Sequence, residues 1–128
     1  MTNEEVMLAV FRAWEESIPA GQEAMRTHLT DDCVWDQPPV ATTTGGAEAA
    51  DLLTGMSAMG FQGVAVDLRN VAAVGDLVFT ERVDWMVRTD GSRIGPWPVV
   101  GVTEFRDGKI SAWREYFDSK TLELLATG

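Results

Sequence analysis

Residues 77–88 read Leu-Val-Phe-Thr-Glu-Arg-Val-Asp-Trp-Met-Val-Arg (LVFTERVDWMVR). Alternate side chains of an extended strand point the same way, so Val78, Thr80, Arg82, Asp84 and Met86 share one face. Phe79, Glu81, Val83, Trp85 and Val87 share the other. The run is rich in β-branched and aromatic residues, with turn residues at Gly75-Asp76 before it and Thr89–Ser92 after it. Upstream, Val64, Val66 and Leu68 alternate with Ala65, Asp67 and Arg69, which predicts a preceding strand. Downstream, Pro98–Phe105 reads as a third strand, and Asp107-Gly108 turns the chain into a fourth at Lys109–Asp118. Four strands joined by such short turns form an antiparallel meander.

The period before this meander is helical. Thr2 and Glu5 have capping-box spacing, and Val6, Met7, Val10, Phe11, Trp14 and Ile18 follow at helical intervals, with Pro19–Gly21 expected to end the helix. A second helix is expected over Gln22–Leu29, a turn at Thr30–Asp32, and a short strand at Cys33–Trp35. Residues 37–46 read as a loop, Ala47–Met59 as a third helix, and Ser119 as the cap of a last helix through Leu125. Helices first and a sheet after define an α+β fold, not a doubly wound one.

Length and composition suit one domain over residues 1–128 with its own core. Twenty acidic against ten basic residues give a charge of −10, which disfavours nucleic acid and anionic membranes as partners. No stretch is long and apolar enough to span a bilayer, and the acidic start lacks the features of a signal peptide, so a cytoplasmic location is expected. Cys33 is the single cysteine and His28 the single histidine, and they do not form a recognisable catalytic or zinc-binding arrangement. Cys33 reads as a small buried apolar residue, and no metal is expected.

The chemistry-bearing residues lie on two strands. Arg82 and Asp84 project side by side, and Glu115 shares a face with Trp113 and Phe117. A carboxyl between two large aromatics loses hydration and binds a proton more tightly unless a cation such as Arg82 compensates. The residue pattern alone favours the plainer reading of Arg82 and Asp84 as a solvated surface pair, with Phe79, Val83 and Trp85 as core. It leaves Glu115 open between a rim residue and a functional one. Five tryptophans and six methionines exceed the needs of a core of this size. Trp35, Met56, Met59, Met86, Trp97, Trp113 and Phe117 are therefore candidates to line an adaptable apolar cavity, with core packing the alternative for each.

Two motifs carry a resemblance. Phe79-Thr80-Glu81-Arg82-Val83-Asp84 resembles the T-E-R-V-D segment of limonene-1,2-epoxide hydrolases, and Gly108–Asp118, GKISAWREYFD, resembles their G-K-I-x-x-W-R-D-Y-F-D segment. The similarity extends more weakly to Val34–Gln37, to the helix after Gly45-Gly46 and to Val100–Val102. It implies an NTF2-like cone of the SnoaL-like group, a strongly curved mixed sheet with about three N-terminal helices closing one side of a deep pocket. It also implies a homodimer through the sheet and an apolar small-molecule substrate with no cofactor. Catalysis carries over to Arg82, Asp84 and Glu115. Protonated Asp84 is expected to protonate the epoxide oxygen, Glu115 to take a proton from the attacking water, and Arg82 to hold their protonation states apart. Trp35 and Gln37 fall where the family holds the water. Here Glu115 stands for an aspartate, Trp35 for a tyrosine and Gln37 for an asparagine, and a slip of one residue would bring Asp36 into the pocket instead. The same fold serves polyketide cyclases, ketosteroid isomerases and dehydratases. An epoxide-opening cyclase and a non-catalytic binding module therefore stand as alternatives.

Overall fold

Thr2 and Glu5 close a reciprocal capping box at the start of helix α1, Asn3–Glu16, in a computed structural model that describes residues 1–127. Its buried stripe is Val6, Met7, Val10, Phe11 and Trp14. The expected stop at Pro19–Gly21 lies elsewhere: extended Ser17 ends α1 and its hydroxyl accepts from the Ala20 amide at the start of α2, Ile18–His28. Proline is tolerated in a first helical turn, where its missing N–H has no intrahelical partner. Pro19 therefore opens the second helix.

Strand β1 runs Leu29–Gln37, with an irregularity between Leu29 and Val34 that absorbs the expected turn. Part of the expected loop is a strand as well. The Ala-Thr-Thr-Thr run of β2, Ala41–Thr44, folds back antiparallel on β1 before α3, Gly45–Ala58. The meander follows as β3, Phe61–Val74, β4, Leu77–Arg88, β5, Arg93–Arg106, and β6, Lys109–Tyr116. β5 is longer than its prolines suggest. Of β5, only Val100–Arg106 pairs with β6, which leaves the half carrying Pro96 and Pro98 bonded to β4 alone, where a missing N–H costs no ladder bond. After β6 the chain makes a 3₁₀ turn at Ser119–Leu122, capped by Asp118 instead of Ser119, and ends in α4, Glu123–Thr127.

The sheet order is β2-β1-β6-β5-β4-β3, with β1 and β6 parallel and every other pair antiparallel, so the sheet is mixed. Register shifts in β3, near Asp84 and at Glu104/Phe105 insert bulges that bend the strands into a cone. α1 packs on β3 and α3 on β1, closing the concave side. Phe11, Met7, Met25, Ile110 and Trp113 are fully buried in the core between the helices and the sheet. Cys33 is buried there too, where loss of hydration raises its thiol to about 12 and leaves it inert.

Candidate active site

The inner face of β4 is the one with Val78, Thr80, Arg82 and Asp84. The surface-pair reading of Arg82 and Asp84 is overturned, since their side chains are 2% and 13% exposed. Alternation shows which residues share a face but not which face turns inward, and here the more polar face does. Phe79, offered as core, is 38% exposed on the convex side.

Arg82 joins two carboxyls from different strands. Its Nη1 donates to Glu115 Oε2 at 2.9 Å and its Nη2 to Glu115 Oε1 at 2.6 Å, a fork-to-fork pair. Its Nε–H is shared between the two oxygens of Asp84, each at 3.1 Å. The guanidinium carbon lies 4.8 Å from the Phe11 ring centre and 5.7 Å from that of Trp14. Burial works against the Arg82 charge, but the Glu115 and Asp84 carboxylates outweigh it and raise its pKa.

The two carboxyls are held unequally. Glu115, 3% exposed, receives two well-directed charged hydrogen bonds, whereas Asp84 shares a single N–H. Burial pushes Asp84 up to about 6, opposed by Arg82 and assisted by the Glu115 and Glu15 carboxylates. One acid is thus prone to hold a proton beside a second carboxyl fixed by the same guanidinium, an arrangement that acid–base catalysis can use.

All three line a cavity of about 310 Å³. Its other walls are almost wholly apolar: Leu52, Leu53 and Met56 from α3, Met86, Trp97 and Val99 from the sheet, and Phe117, Leu122 and Leu125 from the C-terminal segment. Of the aromatic and methionine residues expected there, Trp35, Met56, Met59, Met86, Trp97 and Phe117 do line it. Trp113 does not. It is fully buried in a cluster of three indoles, 5.4 Å from Trp14 and 5.1 Å from Trp35, which are themselves 5.8 Å apart. Trp14 lines the cavity although its position in the apolar stripe of α1 resembles any core position. Nothing local in the sequence separates the end of that stripe from the core.

Trp35 and Gln37 also line the cavity, and Trp35 Nε1 and Gln37 Nε2 are buried without a hydrogen-bond partner among the described residues. Asp36 is turned the other way, its carboxylate accepting from the Thr42 hydroxyl across β1 and β2. The alternative with Asp36 in the pocket is thereby excluded.

A family model for the limonene-1,2-epoxide hydrolase catalytic domain matches residues 3–126. The chain belongs to the limonene-1,2-epoxide hydrolase family. Epoxide hydrolase EphG of Mycobacterium tuberculosis is 38% identical over 95 residues, which is 70% of this chain but 58% of that protein's length. The solved structure of an epoxide hydrolase of the same type from M. tuberculosis superposes with a TM-score of 0.71 at 29% identity, over 94% of this chain and 92% of that one. An NTF2-like protein of unknown function from Burkholderia pseudomallei reaches a TM-score of 0.81 at 14% identity, covering 100% and 99% of the two chains, which supports the cone fold alone. Within the limonene-epoxide-hydrolase fold, the two motifs read from the sequence lie on β4 and β6, the strands that bring Arg82, Asp84 and Glu115 together.

Proposed function

We propose that this protein is a cofactor-independent epoxide hydrolase that adds water to an apolar epoxide in a single step, giving a vicinal diol. The observation that carries this reading is the guanidinium of Arg82 fixed between two unequally bonded carboxyls at the wall of an otherwise apolar cavity. As water attacks one ring carbon, the pair of the breaking C–O bond goes to the epoxide oxygen, which takes the Asp84 proton. Glu115 removes a proton from the water as its oxygen bonds to carbon. Arg82 stays charged throughout and lets either carboxyl be the ionised one. The buried N–H groups of Trp35 and Gln37 can support the water, and return of the proton from Glu115 to Asp84 resets the site.

Because the Trp35 indole can donate a hydrogen bond but not accept one, attack by a hydroxyl of the substrate itself is the second reading, and its product is a cyclic ether. The apolar walls suit a terpene-like or polyketide-like skeleton. We further propose a cytoplasmic homodimer through the convex face of the sheet, on which Phe79, Val100 and Tyr116 are 38%, 44% and 57% exposed. The test is consumption of a panel of cyclic-terpene, styrene-type and hydroxy-epoxides. The native chain should yield diol, and Asp84→Asn and Glu115→Gln should each reduce turnover by about 10²- to 10⁴-fold. Absence of turnover of every member by folded native protein contradicts the reading and favours a binding module.

A further inference from the structure

Arg82 and Glu115 are not on neighbouring strands. β5 runs between β4 and β6, so their backbones stand two strand spacings apart, about 9–10 Å. The side chains can meet only by reaching over β5. The inward row of that strand is Trp97, Val99, Gly101, Thr103 and Phe105, all buried. Thr80, Gly101 and Glu115 lie in register across the three strands, with Val99 opposite Arg82. The fork therefore closes over the one residue of the row that has no side chain. A Cβ on Gly101 would lie 2.9 Å from Arg82 Nη1 and 2.9 Å from Thr80 Oγ1, closer than such atoms approach, and 3.0 Å from Glu115 Oε2, tighter than nearly all such contacts. Turn glycines such as Gly75 and Gly108 have positive φ, but Gly101 does not, so its backbone would accept alanine. What the site requires at position 101 is empty space.

We propose that Gly101 is a positioning residue for this site: its missing side chain is the lane in which the Arg82–Glu115 fork closes across β5. The inference rests on the reading of Asp84 and Glu115 as the acid and the base, and it adds the residue that sets where the base stands. The extra methylene of Glu115 also finds room over Gly101, since Oε2 is one of the three atoms a Cβ would crowd. Displacing the fork weakens the hold of Arg82 on Asp84, the carboxyl that also faces Glu115 from β6 and Glu15 from α1.

The experiment compares the full native chain with Gly101→Ala, Glu115→Asp and the double variant. Gly101→Ala should lower kcat by about 10- to 100-fold with little change in KM, because a misplaced catalytic group costs rate more than binding. It should also move the alkaline limb of the pH profile, and the titration of the ¹³C-labelled Asp84 carboxyl, above the native value of about 6. Shortening residue 115 withdraws its carboxylate toward β6 and the guanidinium follows. The stability lost on Gly101→Ala should then be smaller in the Glu115→Asp background than in the native one. Superimposable Asp84 titrations, or stability losses that simply add, would overturn the proposal. If Gly101→Ala alone does not fold, a folded double variant supports the proposal and an unfolded one contradicts it. Neither the titration nor the stability cycle uses an epoxide. Failure of the hydrolase reading, seen as no turnover by the native chain, is therefore distinguishable from failure of this one.

Discussion

Asp84 sits near 6 because burial penalises its charge more than Arg82 relieves it. Two consequences follow for pH. The folded value lies above the ordinary 3.8, so the folded protein binds this proton more tightly than the unfolded chain does, and stability falls as pH rises from about 4 through about 6. At roughly 1.4 kcal/mol per pH unit the difference amounts to roughly 3 kcal/mol. Denaturant titrations of native protein and Asp84→Asn across that interval should show the native chain losing stability relative to the variant by about this amount, and parallel curves would contradict it. Because the proposed acid must carry its proton, kcat/KM should fall above about pH 6, and a profile flat through pH 8 would exclude Asp84 from that role. The carboxyls and the guanidinium were legible in the sequence as residues sharing faces of strands. The burial of Arg82 and Asp84 was not, because the opposite face of β4, with Phe79, Val83 and Trp85, is the more hydrophobic one, whereas Trp113 and Phe117 beside Glu115 already hinted at its burial. Sequence hydrophobicity ranks faces by composition, and a pocket is the place where that ranking inverts. Gly101 was visible only as part of a weak similarity, since its importance lies in the atoms on either side of it.

Among elements, α3 is a wall of the cavity with room beside it at Gly55. Leu52, Leu53 and Met56 point into the cavity, and Gly55 lines it with nothing within 4 Å of where a Cβ would stand. A helical glycine with open space around it costs stability without making a contact. Gly55→Ala should therefore stabilise the protein by about 0.5–1 kcal/mol in thermal or denaturant unfolding, and a loss of stability would show that the space is needed. Gly55→Phe should raise KM for bulky epoxides more than for small ones. Element type was read well wherever periodicity was long, as in α1 and β4. Boundaries failed at Ser17, where capping chemistry outweighed the proline signal, and at β5, where strand pairing on one side only made Pro96 and Pro98 harmless. β2 was missed because four residues carry too little periodicity, and only the β-branched Thr42–Thr44 hinted at it.

For the molecule as a whole, the convex face is the large surface still without cover. Phe79, Val100 and Tyr116 are exposed across adjoining strands, and a second subunit is the cover we propose. Val100→Arg should give a monomer by sedimentation at concentrations where the native chain is a dimer, and a native chain that is itself monomeric would remove that part of the account. The mixed topology, with β1 parallel to β6, depends on pairings between residues far apart in sequence, so strand periodicity could not reveal it and only the resemblance did. No helix among the described residues is long and apolar enough to cross a membrane. The proposed function turns on direct attack of water on an epoxide held between Asp84 and Glu115. Its most direct test is a single turnover in oxygen-18 water with protein in excess over epoxide, analysed by mass spectrometry of the product. A diol carrying solvent label from the first turnover, and lost in both Asp84→Asn and Glu115→Gln, is the predicted result. An unlabelled diol, whose oxygen came from a protein carboxylate, or an unlabelled cyclic ether would contradict it.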